Sequence, residues 1–199
     1  MDFVELIRSS LSRWMEGSGP YFDVVISSRI RLARNLADYP FPSRISNETR
    51  EEIVDKVEAA VKGVSIDPRV GALEVIRLNG LSPVERQVLV EKHLISPQFA
   101  EAGGIGRAVA LGNEEVVSVM VNEEDHLRIQ VFLPGMQLHE AWNIADAVDD
   151  FLEQKLVYAF DELFGYLTCC PTNVGTGLRA SVMLHLPGLA ITGQTEEVL

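Results

Sequence analysis

Residues 27–35 read Ser-Ser-Arg-Ile-Arg-Leu-Ala-Arg-Asn, and this stretch carries the pattern that decides the fold. Basic and apolar side chains alternate in it, because Ile30 separates Arg29 from Arg31. A period of two residues is typical of a β-strand, in which successive side chains point to opposite faces of a sheet. The pattern therefore predicts a strand over residues 23–32 with both guanidinium groups on one face.

Two later segments repeat this alternation and place one arginine each on the polar side. Residues 126–133 predict a strand that carries Arg128, and residues 178–186 predict a strand that carries Arg179. Residues 116–121 predict another strand just before the first of these, and the short acidic segment between the two is a turn. The sequence therefore predicts an antiparallel hairpin. If the hairpin and the strands at Arg29 and Arg179 share a sheet, their arginines can meet on one face.

The rest of the chain mixes helices and short strands. Helices are predicted over residues 2–16, from Ser46 or Asn47 to about Lys62, from Ser82 to near His93, and over residues 138–163; further strands are predicted over Leu73–Leu78 and Ala108–Leu111, and a flexible turn over Gly103–Gly106. We find no internal repeat. This mixture with an antiparallel hairpin predicts the α+β class, in which an antiparallel β-sheet is flanked by helices.

The composition excludes several classes of protein. The chain has 199 residues, of which 47% are hydrophobic, and a formal net charge of −12. A chain this acidic is a poor candidate for binding nucleic acid or anionic lipid, which attract a basic surface. It has no basic, apolar leader and no apolar run of about 20 residues, so we expect a cytoplasmic protein without a membrane span. The adjacent Cys169 and Cys170 predict neither a disulfide framework nor a zinc site.

Four arginines on the polar sides of predicted strands point to a bound anion. They are Arg29, Arg31, Arg128 and Arg179, and they would repel one another on a shared face without a counter-charge. The usual Gly-rich phosphate loop and dinucleotide fingerprint are both absent from the sequence, so arginine side chains would have to hold a phosphate. The simpler alternative for any one of them is a solvated strand residue.

Three other features allow both a catalytic and a structural interpretation. The acidic segment Glu123–Asp125 is either an exposed turn or the source of a carboxylate that binds a guanidinium group and removes its proton. Cys170 is either a buried structural thiol or a thiol whose pKa nearby arginines would lower. His93, at the end of a predicted helix, is by itself more often a capping histidine than a ligand.

The segments around these residues resemble the phosphagen kinase superfamily and, within it, the bacterial protein arginine kinases. The resemblance rests on residues 27–35, on Asn-Glu-Glu-Asp-His-Leu-Arg at 122–128, and on Cys-Pro-Thr-Asn-Val-Gly-Thr-Gly-Leu-Arg-Ala-Ser-Val-Met at 170–183. It implies transfer of the γ-phosphoryl group of ATP to a guanidinium nitrogen. It also implies a catalytic domain built on a glutamine-synthetase-like antiparallel sheet, with Mg²⁺ arriving on ATP and no metal ligand from the protein.

The resemblance also assigns roles to individual residues. Glu124 and Cys170 correspond to catalytic positions, Glu124 being the carboxylate that holds the guanidinium group. The nucleotide-binding positions implied by the resemblance are Ser27, Ser28, Arg29, Ile30, Arg31, His93, Arg128, Arg179, Ala180, Ser181, Val182 and Met183.

The resemblance further implies how this chain differs from its relatives. We expect one catalytic domain over residues 1–199 that lacks the helical N-terminal domain of small-guanidine kinases, and this absence favours arginine in proteins as the substrate. We also expect the domain to be incomplete at its C-terminus, without the family's segment that bears a fifth phosphate-contacting arginine and a second substrate carboxylate, and therefore to be weakly active or inactive by itself. The family's dimerisation domain is expected to be absent as well. The implied partners are a heat-shock repressor and a Clp-type protease in a stress response. The alternatives are a small-guanidine kinase such as arginine kinase, and a catalytically impaired nucleotide-binding or adaptor fragment.

Overall fold

A computed structural model of the chain describes residues 11–63, 65, 66, 68–101, 104–112 and 114–198. Most of the helix predicted over residues 2–16 lies outside these residues. In its described part, Arg13–Met15 form a single 3-10 turn that packs against the sheet.

The core of the fold is a six-stranded sheet in which every neighbouring pair is antiparallel, in the order β2-β3-β4-β5-β1-β8. Its strands are β1 (Val25–Arg34), β2 (Glu74–Arg77), β3 (Ala108–Leu111), β4 (Val117–Val121), β5 (Leu127–Pro134) and β8 (Leu178–Leu184). Strands β6 (Phe160–Asp161) and β7 (Gly165–Tyr166) form a separate small hairpin. The α+β class with an antiparallel sheet is confirmed, and the predicted strands are correct to within one or two residues at most ends.

Helices occupy both faces of the sheet. They are α1 (Asn47–Val61), α2 (Pro83–Glu91), α3 (Pro97–Glu101), α4 (Leu138–Glu153), α5 (Pro187–Thr192) and α6 (Thr195–Val198). The Ser46 side chain accepts a hydrogen bond from the Thr49 amide and begins α1. Ser82 and Glu85 form a capping box at the start of α2. Both of these predicted helix starts are therefore confirmed.

The two faces of the sheet are covered unequally. On one face, α1 and α4 pack their apolar sides against inward residues of β1, β3, β4 and β5, such as Leu32, Val119 and Ile129. On the other face, α2 and α3 cover β3 and β4 through a smaller cluster that includes Leu89, Phe99 and Met120. The part of this second face that belongs to β5, β1 and β8 carries polar residues and remains open.

The helix predicted over residues 138–163 is too long, because α4 ends at Glu153. Leu152 and Leu156 are both buried, and their helical spacing suggested one continuous helix. The backbone beyond Glu153 instead pairs with the end of β1: Ala37 donates to the Val157 carbonyl at 2.9 Å, and Ala159 donates to the Asn35 carbonyl at 2.7 Å. The hairpin β6–β7 then follows, its turn held by the Asp161 carboxylate.

Among the described residues, no helix is both long enough and apolar enough to cross a membrane.

Candidate functional site

The register of three strands brings the four predicted arginines onto the open part of one sheet face. On β1, Arg31 lies opposite Arg179 of β8 and opposite Gln130 of β5. Arg29 precedes Arg31 by two residues and therefore lies on the same face. Arg128 lies opposite Ala33, which shares that face as well. The predicted convergence of the arginines is therefore present in the structure.

The lowered pKa values of Arg29 and Arg31 show that the positive charges of these arginines repel one another. Partial burial, followed by the positive charges of Arg128, Arg29 and Arg179, lowers the pKa of Arg31 to about 10, against a smaller opposing effect of Glu123. The pKa of Arg29 is lowered by burial first and then by Arg128 and Arg179. All of them remain charged at neutral pH, so the face repels cations and favours an anion with several negative charges.

An open cavity of about 180 Å³ joins the arginines to the two predicted catalytic residues. Its lining includes Arg31, Arg128 and Arg179 together with Glu124 and Cys170. Several guanidinium groups and an exposed carboxylate thus share one space, which could hold an anion next to a cation.

The acidic turn is not a uniformly exposed tip, because its carboxylates have different environments. Glu123 is largely buried and accepts hydrogen bonds from Arg128 and from Ser96, both at 2.7 Å. Burial works to raise the pKa of Glu123, but Arg128 and these hydrogen bonds outweigh it, so the pKa is lowered. The Glu124 carboxylate is exposed and pairs with no cation among the described residues. Glu124 is therefore the carboxylate free to meet a guanidinium group.

A buried hydrogen-bond network fixes the turn from below. Asp125 accepts from the Asn35 side chain at 2.6 Å and from the Cys169 amide at 2.7 Å. The Asn35 side chain in turn accepts from the His126 amide at 2.9 Å. His126 itself is fully buried, and burial lowers its pKa to about 4. This network ties the turn that carries Glu124 to the loop that carries the cysteines.

The two adjacent cysteines lie in different surroundings. Burial, followed by the nearby Asp125 carboxylate, raises the pKa of the Cys169 thiol to about 12. The Cys170 sulfur lies 3.0 Å from the Thr172 hydroxyl and lines the cavity. Cys170 is thus the thiol that faces the candidate site.

The loop after Cys170 is fixed to β1 by two contacts. Gly177 has a φ of +62°, and a Cβ atom there would lie 2.6 Å from the Ala33 carbonyl oxygen, so a side chain would collide with β1. Arg34 is buried, donates to the Thr176 carbonyl at 2.9 Å and pairs with Asp149 of α4 at 2.6 Å. Arg34 therefore has a structural role, unlike the arginines on the open face.

A second cavity of about 410 Å³ adjoins the first, and Arg128 lines both. Arg29, His93 and Gln130 are among its lining residues. His93 has a φ of +59°, and Gln130 donates to its carbonyl at 2.8 Å. Burial lowers the pKa of His93, and the Arg29 charge adds to this effect. The structure thus places His93 beside the arginine cluster.

The remaining predicted site residues divide between the two faces of the sheet. Ser181 and Met183 share the face of Arg29, and Ser181 accepts a hydrogen bond from Arg29 at 3.2 Å. Ser27 shares this face but is buried. The register places the side chains of Ser28, Ile30, Ala180 and Val182 on the opposite face. These four residues can therefore reach a ligand on the open face only through their main chain.

The sequence interpretation missed several residues that shape the site: Asn35 and His126 in the network, Arg34 and Asp149 below the loop, and Ser96 beside Glu123. It considered Asp125 only as part of the acidic segment and not as a buried member of the network. The available signal was a charged residue at a position that should face the core, such as Arg34, which follows Ile30 and Leu32 in the alternation of β1. The partners of these residues lie far away in the chain, so the pairings themselves could not be found.

Comparison with known proteins agrees with this geometry. A family profile described as ATP:guanido phosphotransferase, C-terminal catalytic domain, matches residues 52–199. A protein-arginine kinase of Moorella thermoacetica is 59% identical over 188 residues, which are 94% of this chain and 53% of that protein. Another from Symbiobacterium thermophilum is 56% identical over 194 residues, which are 98% of this chain and 55% of that protein. The chain thus spans about half the length of the curated relatives it matches.

Solved structures of guanidino kinases share the fold. The duplicated taurocyamine kinase from Schistosoma mansoni, with bound transition state analog components, superposes with a TM-score of 0.78 and 27% identity over 98% of this chain and 28% of that chain. A lombricine kinase superposes with a TM-score of 0.69 and 24% identity over 88% of this chain and 51% of that chain, which supports the fold alone.

Proposed function

Because the chain belongs to the ATP:guanido phosphotransferase family, we propose that it transfers the γ-phosphoryl group of ATP to the guanidinium group of arginine residues in proteins. The observation that carries the proposal is the cavity in which Arg31, Arg128 and Arg179 face Glu124 and Cys170. The names of the curated relatives, which cover nearly all of this chain, support arginine in proteins as the acceptor.

In this proposal the triphosphate of ATP occupies the open sheet face. Arg29, Arg31, Arg128 and Arg179 hold its oxygens, and the adjoining cavity beside His93 receives the nucleoside end. The mutual repulsion that lowers the pKa of Arg29 and Arg31 supports this role, since a polyphosphate would relieve it. Phosphoryl transfer depends mainly on alignment and charge neutralisation, both of which a fixed arginine cluster supplies.

Glu124 acts on the acceptor side. A fully protonated guanidinium group is a poor nucleophile, so a carboxylate must take one proton as the nitrogen–phosphorus bond forms and the bond to the leaving ADP oxygen breaks. The exposed Glu124 carboxylate at the edge of the cavity is placed for this step, and Cys170 contacts the acceptor beside it. The products are phosphoarginine and ADP, and the proton passes from Glu124 to water.

Mg²⁺ enters this proposal bound to ATP. The described residues include no group of three or more His, Cys, Asp or Glu side chains placed to hold a metal ion. Phosphate oxygens and water would therefore supply its ligands, as is usual for Mg²⁺ with nucleotides. The heat-shock repressor, the Clp-type protease, the stress response and the cytoplasmic location implied by the family resemblance remain part of the proposal.

The test compares Glu124→Gln with Glu162→Gln in the protein at its natural length. Glu162 is also an exposed glutamate in a turn, but it lies outside the cavity. With ATP, Mg²⁺ and an arginine-rich protein, Glu124→Gln should lower the rate of acid-labile phosphate formation by ~10²–10³-fold. Glu162→Gln should leave the rate unchanged.

Three outcomes would contradict the proposal. Equal rates for the two variants would remove Glu124 from the chemistry. Faster phosphorylation of free arginine or taurocyamine than of protein arginine would assign the enzyme to the small-guanidine kinases. Nucleotide binding without any phosphoryl transfer by the natural-length protein would instead favour an adaptor.

A further inference from the structure

An aromatic cluster that belongs to neither apolar core connects the N-terminal turn to the arginine face. Trp14 is 5% exposed and stacks on Phe132, with ring centroids 5.5 Å apart and an interplanar angle of 24°. Its indole also meets His93 edge-to-face at 5.2 Å. Phe132 and His93 therefore share one rigid neighbour that lies outside both cavities of the candidate site.

The other side of this cluster touches the phosphate-binding face. Phe132 lies directly opposite Arg29 across β5 and β1, so their side chains are neighbours on one face. The guanidinium carbon of Arg29 lies 5.5 Å from the centre of the Phe132 ring, within the range of a cation–π contact. A shift of the Phe132 ring would therefore also shift the Arg29 guanidinium group.

Buried polar contacts on both sides of Trp14 fix its place. The Trp14 indole nitrogen donates to the Lys92 carbonyl at 3.3 Å, immediately before His93. The Lys92 ammonium group pairs with Glu115 at 2.7 Å, and both side chains are almost fully buried. Ser12, two residues before Trp14, donates to the second oxygen of Glu115. A buried ion pair whose partners are all hydrogen-bonded holds a defined geometry. Because Ser12 and the Lys92 main chain connect Trp14 to this pair, the indole ring is held in one position.

We propose that Trp14 is a positioning residue of the nucleotide-facing surface, acting on the Arg29 guanidinium group through Phe132 and on the His93 ring by direct contact. The inference rests on the function proposed above, because its effect is on the binding of nucleotide. It assigns to Ser12 and Trp14, which line neither cavity, a part in the affinity for the phosphate-bearing substrate.

The experiment measures the Kd of ADP–Mg²⁺ and ATP–Mg²⁺ by calorimetry in the natural-length protein. Trp14→Leu removes both aromatic contacts and should raise Kd by ~5–20-fold, from two ring pairs. Trp14→Phe keeps a ring on Phe132 and should stay within ~2-fold of the unmodified protein. Trp142→Leu is the matched control, because Trp142 packs against the core on the opposite sheet face. Thermal melts set a temperature at which every variant is folded.

A double variant separates positioning from general loosening of the fold. Trp14→Leu should raise Kd by a smaller factor, ~2–5-fold, in an Arg29→Lys background, because the group on which it acts through Phe132 has been replaced and only the contact with His93 remains. An effect of Trp14→Leu no larger than that of Trp142→Leu, or one that is unchanged in the Arg29→Lys background, overturns the inference while leaving the proposed function intact. Absence of nucleotide binding in the unmodified protein instead overturns the proposed function, and the inference with it.

Discussion

Two halves of one sheet face have opposite surroundings although both are built from strands with alternating side chains. The half formed by β3 and β4 places Val109, Leu111 and Met120 beneath α2 and α3, where they are buried. The half formed by β5, β1 and β8 places Arg29, Arg31 and Arg128 in an open surface. No α-helix of the described residues covers this second half, and the Arg13–Met15 turn covers only its Phe132 end.

The difference shows that one half of a sheet face can stabilise the fold while the other half is available to bind a ligand. Burial of apolar side chains stabilises the covered half. The open half gains little from packing and keeps like charges together, which costs stability unless an anion is bound. The covered half should therefore respond to substitution mainly in folding, and the open half mainly in ligand affinity.

The largest effect is expected in the covered half. Leu89→Ala removes a fully buried side chain of α2 and should lower the free energy of unfolding by about 2–5 kcal/mol through lost burial and a cavity. Chemical denaturation measures this change. Val84→Ala on the same helix, where the side chain is 72% exposed, is the control and should change it by less than about 0.5 kcal/mol. A Leu89→Ala protein that kept its full stability but lost nucleotide affinity would contradict the expectation that the covered half acts mainly on folding.

An intermediate effect of the opposite kind is expected in the open half. Arg179→Ala should weaken the binding of ATP by about 10- to 100-fold, because a charge-assisted hydrogen bond to phosphate is lost. Without nucleotide, the variant should be as stable as the unmodified protein, since a repelling charge has been removed. Arg179→Lys should restore affinity only in part, because lysine cannot make a forked contact.

Calorimetric titration and denaturation of the same samples give both quantities. Arg44→Ala, which removes an exposed arginine outside both cavities, should change neither. If Arg179→Ala destabilised the ligand-free protein as much as Leu89→Ala does, the two halves would not differ in the way described.

The smallest effect concerns the turn that connects the two halves. Burial holds the pKa of His126 at about 4, below its ordinary value of 6.5, so the unfolded chain takes up this proton first as the pH falls. The resulting stability is complete above pH 6.5 and is lost progressively between pH 6.5 and pH 4. Between pH 7 and pH 5.5 the loss should be about 1.4 kcal/mol.

Denaturation at several pH values tests this expectation. His126→Gln should be less stable at neutral pH but should lose less stability on acidification than the unmodified protein. His139→Gln, at an exposed position on α4, should keep the full pH dependence. Equal slopes for His126→Gln and His139→Gln would show that His126 is not the group that titrates.

Local patterns were sufficient to predict the strands and the shared face of the arginines. Alternation around Ile30 and Ile129 required a period of two residues, which assigned the arginines to the polar side of each strand. The pairing of β1 with β5 and β8 and its register came from the structure. The same reasoning failed at the end of α4, because Leu156 continues the helical spacing although its neighbours pair with residues after β1. Long-range backbone pairing is not visible in a local pattern.

The choice between adjacent residues of the same type also depended on tertiary contacts. From the residues alone, Glu123 and Glu124 were equivalent acidic turn residues, and only the family resemblance favoured Glu124. The structure distinguishes them through Arg128 and Ser96, which bind Glu123 and leave Glu124 exposed. The catalytic role assigned to Glu124 stays a prediction.

Because Cys169 and Cys170 lie in different surroundings, a thiol reagent should label one of them selectively. A maleimide reagent reacts with thiolate, and the raised pKa of Cys169 keeps that thiol protonated in neutral buffer. Cys170, whose sulfur lines the cavity, is the thiol of the pair that a substoichiometric dye would mark. A fluorophore attached there would lie in the same cavity as Glu124, so under the proposed function its emission could report in real time when an acceptor arginine enters or leaves.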